Sequence, residues 1–228
     1  MSLVLIIFSQ IMIEHNIHQI WVGPYPLPYR EKQYIHNICK QNPSYNHMLW
    51  TDNNLPTLPN NIQLLFDFFQ KKEDYAFQAD ILRIFLVYKY GGMYLDVDFR
   101  ADLPLDELDL SGDALFGYHR NINDHTIPNG FFAGRREAMV FKYLIDNIDI
   151  KKESWYGPSW LGRTVKEFLN LPYSIDKLSL INSASPHNIN FILWENLEKV
   201  IKHTALYSWA PENKLKFKLG DINYTDEP

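Results

Sequence analysis

The stretch FQADILRIFLVYKYGGMYLDVD, Phe77 to Asp98, decides how the rest of this chain is read. Its first part carries helix formers with few interruptions, and the helix predicted over Glu73–Tyr90, with Asp74 as its N-cap, stops at Gly91 and Gly92. The glycines deliver the chain straight into an apolar run, MYLDVD, that reads as a buried strand ending in two carboxylates. If the strand continues to its last residue, Leu95 and Val97 face one layer while Asp96 and Asp98 both point the other way. Two anions in one small space repel each other unless a cation lies between them, and oxygen ligands suit a hard divalent ion such as Mn²⁺ or Mg²⁺. A solvated acidic turn is the competing reading of any isolated D-x-D. In the preceding helix Asp80 and Arg83 stand three apart and share a face, which a local ion pair would also explain.

Working outward, strand-like and helix-like stretches alternate, as in an α/β fold with a mixed, mostly parallel central sheet flanked by helices. Strands are predicted over His15–Gly23, His47–Asp52, Ala114–His119 and Asn129–Arg135, and helices over Tyr29–Gln41, Glu137–Asn147 and Pro158–Asn170. Asn53–Asn61 reads as a polar, proline-punctuated connection. The 228 residues, 46% of them hydrophobic, suffice for one ordinary core, so a single domain over 12–228 is expected. Residues 1–11 are read as a dispensable leader. Leu3–Ile13 has the length of a signal peptide, but it lacks a basic flank, is broken by Ser9 and Gln10, and is too short to span a bilayer.

The formal net charge of −5 and the scattered basic residues argue against a nucleic-acid partner. A single Cys39 excludes an internal disulfide and a thiolate metal cluster and fits a reducing compartment. A cytoplasmic location without a transmembrane segment is therefore expected, with peripheral membrane association left open.

The helical D-x-x-R, the Tyr90-Gly91-Gly92 stop and the strand ending in D-x-D together resemble the sugar-binding region of glycosyltransferase family 32 and the catalytic domain of the large clostridial glucosylating toxins. Three further stretches agree in order: EHNIHQIWVG at the first strand, Leu49-Trp50-Thr51-Asp52 at the second, and His203 shortly before Ser208-Trp209. The toxins' glutamate ligand near that last motif has no counterpart, since Glu212 lies beyond Trp209.

The resemblance implies a GT-A fold and metal-dependent transfer of a sugar, with retention, from a nucleotide-diphosphate donor, UDP-hexose favoured, to a glycan or other hydroxyl acceptor. A role in polysaccharide biosynthesis would follow. It assigns Asp96, Asp98 and His203 to Mn²⁺ or Mg²⁺, with Asp96 also reaching the ribose. Asp80 and Arg83 would hold donor sugar hydroxyls, and Trp21 would lie against the base with Gln19 and Val22 nearby. Ser208 and Trp209 would donate to the diphosphate, and Asn129 would approach a sugar or serve as a turn residue beside Gly130.

No nucleophile stands out among Asp52, Asp102 and Asp124, and the resemblance implies same-face attack with the leaving phosphate as proton acceptor. Two other classes remain: a haloacid-dehalogenase-type phosphatase or phosphotransferase, whose late acidic motif GDINYTD at 220–226 imitates, and a non-catalytic sugar or metal binding module. About 90 residues precede Asp96, which disfavours the former, because that fold needs its nucleophile on the first strand.

Overall fold

The computed structural model describes residues 12–119, 127–148, 157–171 and 188–204. Its strands are β1 (Asn16–Ile20), β2 (Asn46–Trp50), β3 (Gly92–Leu95), β4 (Phe99–Ala101), β5 (Ala114–Tyr118), β6 (Phe131–Gly134), β7 (Ile189–Leu193) and β8 (Ile201–His203). Its helices are α1 (Tyr29–Gln41), α2 (Asn60–Lys71), α3 (Tyr75–Tyr90), α4 (Met139–Asp146), α5 (Pro158–Phe168) and α6 (Trp194–Leu197).

Six strands form one sheet in the order β2-β1-β3-β6-β5-β7, and β4 pairs with β8 in a small second sheet. Within the large sheet β1 pairs parallel with β2 and β3, and β5 pairs parallel with β7. Only β6 runs the other way, antiparallel to both β3 and β5. Every strand but β6 therefore ends at one edge, where open α/β sheets bind ligands.

Alternation along the strands divides the core in two. Ile20, Tyr94, Phe116 and Phe132 face a layer built with Ile62, Leu65 and Phe66 of α2 and with Ile81, Leu82 and Phe85 of α3. Ile17, Met93, Leu95, Leu115 and Phe131 face the other layer, which holds Ile38 of α1, Phe99 of β4, Ile201 of β8 and Trp194 of α6. Every residue of α3 from Ile81 to Val87 is buried, so this helix lies inside the molecule rather than on it.

The stop between α3 and β3 is steric. Gly92 has φ +102°, and a Cβ there would lie 2.3 Å from the Asn16 carbonyl oxygen, so only glycine lets the chain turn against β1. His18, fully buried, meets the Gly91 carbonyl through Nε2 at 2.8 Å, while its Nδ1 accepts the Trp50 indole N–H at 3.1 Å. Burial lowers the His18 pKa to about 4, so it works here as a neutral tie.

Several boundaries differ from the sequence reading. The predicted strand does not reach Asp98: β3 ends at Leu95, and the residues after it form a turn closed by the Phe99 amide on the Asp96 carbonyl at 3.2 Å. The predicted polar connection leads into α2, whose Ile62, Leu65, Phe66 and Phe69 follow helical spacing and are buried. Asp74 makes no side-chain cap, and α3 begins only after Glu73 has turned through φ +56°. β4, β7, α6 and β8 were not legible. Met12 and Ile13 pair with Ser111 and Leu110, so the described chain is bound into the fold from its first residues. No described helix is long and apolar enough to cross a membrane.

Candidate active site

The turn after β3 is anchored at both ends. The Asp96 amide donates to the Gly130 carbonyl at 2.9 Å, which prolongs the ladder with β6 by one bond. The Asp96 carbonyl accepts the Gln19 amide N–H at 3.2 Å, and the Gln19 oxygen is paired with His47 Nε2 at 2.7 Å. At the far end the Asp98 carbonyl accepts both the amide and the hydroxyl of Thr204, at 3.1 and 2.7 Å. Fixing the backbone in this way holds the two carboxylates without using their oxygens.

On the Asp96 side lies a buried charge network. Arg83 Nη2 is 2.9 Å from Asp80 Oδ1, and Nη1 donates to the Asn129 carbonyl at 2.5 Å and stands 3.4 Å from Asp96 Oδ1. The remaining nitrogen, Nε, donates to the Ala79 carbonyl at 3.2 Å. The guanidinium also lies over the Tyr94 ring at 4.6 Å, and the Tyr94 hydroxyl donates to Asp96 Oδ1 at 2.5 Å. Asn129 closes the circuit by donating from its side chain to Asp80 at 2.8 Å. Burial pushes the Asp80 carboxyl up to about 7, although Arg83 pulls it down; burial works against the Arg83 charge, but Tyr94, Asp96, Asp80 and Asp98 around it hold its pKa above its ordinary value. Gly130 leaves space for this arrangement, since a Cβ there would lie 2.8 Å from Asp96 Oδ2.

On the Asp98 side the surroundings are aromatic. Asp98 Oδ1 is 3.2 Å from Nε2 of His203, whose ring stacks on Phe99 at 4.7 Å. His203 belongs to β8 and pairs across from Phe99. Burial pulls its pKa down, but hydrogen bonding and charge from Asp98, with help from Asp96 and Glu198, leave it raised overall.

Ligand atoms of Asp96, Asp98 and His203 all lie within 4.8 Å of one another, the only group of three or more His, Cys, Asp or Glu that does so among the described residues. Two carboxylates and an imidazole form a donor set that can hold a divalent cation, so these residues fit a metal.

The remaining sequence candidates divide. Gln19 is wholly buried and both ends of its amide are engaged, so it acts on the turn rather than on a ligand. The Val22 side chain is part of the core. Trp21 is half-buried at the end of β1 and donates its indole N–H to the Tyr25 carbonyl at 2.8 Å. Beside it Asp52 accepts the Gly23 amide at 2.8 Å, whereas Asp102 pairs with Arg100 at 3.2 Å. Ser208, Trp209, Asp124 and the 220–226 motif lie outside the described residues. The sequence reading missed Tyr94, Thr204 and His47; Tyr94 was within reach, since it stands two residues before Asp96 on the same strand face.

Comparison with known proteins bears on the family and the fold. Residues 28–113 match the family described as glycosyltransferase sugar-binding region containing DXD motif. An uncharacterised glycosyltransferase of Acanthamoeba polyphaga mimivirus is 27% identical over 219 residues, covering 90% of this chain and 86% of the relative. Inositol phosphoceramide mannosyltransferase 2 of Schizosaccharomyces pombe is 24% identical over 199 residues, and there the chain spans half of the relative's length. Among solved structures, the PaToxG glycosyltransferase superposes with a TM-score of 0.61 at 16% identity, over 70% of this chain and 71% of that one. The catalytic domain of Clostridium novyi α-toxin follows at 0.51 and 12%, over 60% and 58%. These two likenesses establish the fold, of the GT-A type.

Proposed function

From the match of residues 28–113 to the DXD sugar-binding region of glycosyltransferases, we propose a metal-dependent hexosyl transfer from a nucleotide-diphosphate donor, UDP-hexose favoured, to a hydroxyl acceptor, with retention of configuration. The observation that carries it is the convergence of Asp96, Asp98 and His203 beside the Asp80–Arg83 pair at the C-terminal edge of the sheet.

Asp98 and His203 would hold Mn²⁺ or Mg²⁺ directly, and Asp96 would share that task with a contact to the ribose. The ion supplies Lewis acidity toward a diphosphate leaving group. The protein's own part is positional. Tyr94 and Arg83 constrain Asp96 from one side, Thr204 and Gln19 fix the backbone of the turn, and Asp80, tied to Asn129, would with Arg83 face the donor sugar hydroxyls. Trp21 offers an aromatic face at the end of β1 for the base. With no carboxylate assigned as nucleophile, same-face attack remains the preferred course, the leaving phosphate taking the acceptor's proton. The preference for UDP and for retention rests on the family resemblance.

The test is thermal melting with UDP, GDP and CDP, each with and without Mn²⁺, beside a screen of nucleotide sugars for metal-dependent hydrolysis. A ligand at a hundred times its dissociation constant stabilises by about 2.7 kcal/mol, so a saturating metal and nucleotide pair should raise the melting temperature by roughly 5 to 10 °C. Equal stabilisation in EDTA, or none with metal, would sink the reading.

A further inference from the structure

The aromatic row on the Asp98 side continues past the three metal-ligating candidates. β5 and β7 run parallel with Tyr118 opposite Leu193, so the residues that follow, His119 and Trp194, emerge together at the ligand-binding edge. Their ring centroids are 5.0 Å apart, and Trp194 in turn meets His203 at 6.2 Å and Phe99 at 6.1 Å. Gly117 makes room for the indole, because a Cβ there would lie 2.9 Å from it. The Trp194 N–H donates to Glu198 at 3.2 Å, which brings half-buried Glu198 and exposed Glu195 to the same short turn. Lys199 on the same turn donates to Asn196 at 2.9 Å.

Strand order gives this cluster its meaning. Asp96 and Asp98 follow β3; Trp21, assigned to the base, follows β1 on one side of them, and Asp80 and Arg83, assigned to the donor sugar, come from α3, whose core packs in the layer opposite that of Trp194. His119 and Trp194 lie on the other side, across β6, where a second substrate can reach the same diphosphate. Building on the glycosyl-transfer reading, we propose that this is the acceptor side of the site, where His119, Glu195 and Glu198 hydrogen-bond the hydroxyls of a neutral sugar acceptor. An imidazole both donates and accepts, and carboxylates take hydroxyl protons, which suits a polyol. A phosphorylated acceptor would bring its charge against two carboxylates. Burial lowers the His119 pKa, more than Glu198 and Glu195 restore it, so the ring is available in its neutral form.

The experiment measures transfer from whichever nucleotide sugar the wild type consumes to methyl α-glucoside, methyl α-galactoside and methyl α-mannoside, beside glucose and mannose phosphates. Wild type should use at least one neutral glycoside and reject the phosphates. His119→Ala should raise the acceptor KM by about tenfold, the loss of one or two hydrogen bonds, with kcat within about threefold and the UDP–Mn²⁺ melting shift retained. Glu195→Gln combined with Glu198→Gln should weaken the neutral acceptor and admit phosphate. An unchanged acceptor KM in both variants, a wild-type preference for phosphorylated sugars, or loss of the melting shift in His119→Ala would each overturn the acceptor assignment alone. Absence of any metal-dependent donor consumption by the wild type would bring down the glycosyl-transfer reading itself.

Discussion

Asp96 and Asp98 are one residue apart, yet they occupy different physical environments. Asp96 faces a buried lattice of Arg83, Asp80, Tyr94 and Asn129, in which every guanidinium nitrogen is already engaged. Asp98 faces His203 and a row of rings, with the imidazole partly exposed. Removing Arg83 strands carboxylates in a low-dielectric interior, whereas replacing Asp98 leaves only the partly exposed His203 without its anion. The contrast teaches that a two-carboxylate motif can be half scaffold and half chemistry.

The sharpest way to break this contrast is Arg83→Met. It leaves Asp80 and Asp96 without their cation, and breaking a buried pair costs about 3 to 5 kcal/mol. For a domain of this size the melting temperature should fall by roughly 6 to 20 °C. If Arg83 serves only sugar hydroxyls, the loss would stay below about 1 kcal/mol and activity alone would suffer; calorimetry decides between the two.

Asp98→Asn should do the reverse. Stability should move by less than about 1 kcal/mol, while affinity for Mn²⁺ drops by about 100-fold or more and turnover falls with it. Titration of Mn²⁺ against the variant measures this, and wild-type affinity would remove Asp98 from the metal site.

The smallest effect sharpens the Asp98 side through pH. The folded pKa of His203 lies above its unfolded value of about 6.5. Its protonated pair with Asp98 therefore stabilises the ion-free protein below pH 6.5, and that contribution is lost as pH rises through the folded pKa. Metal binding runs the other way, since the cation must displace this proton. Affinity for Mn²⁺ should rise by up to about tenfold per pH unit until His203 is neutral and then level off. A flat profile in the wild type, or an unaltered slope in His203→Gln, would show that this imidazole is not a ligand.

Much of the site was written in local order. Helix α3, the Gly91-Gly92 stop, the apolar strand and the D-x-D were legible because periodicity, steric permission and charge repulsion act over a few residues. The short strands β4 and β8 were not, because three residues carry no period and gain their identity only by pairing, Phe99 opposite His203. α2 was a different failure: its helical spacing was present, and the polar prolines before it concealed its start.

The sequence by itself determined the class of the molecule and where its carboxylates fall, since burial patterns and a helix stop follow from side-chain size and polarity. Only the tertiary structure decided what each group faces. Gln19 and Thr204 stand 77 and 106 residues from the turn backbone they hold, Asn129 stands 49 from Asp80, and His203 reaches Asp98 only because β8 folds back along β4. Hydrogen bonds and pKa shifts depend on distances that chain separation does not encode, so the division of the motif into an Asp96 tied to Arg83 and Tyr94 and a buried Asp98 paired with His203 exists only in the folded protein.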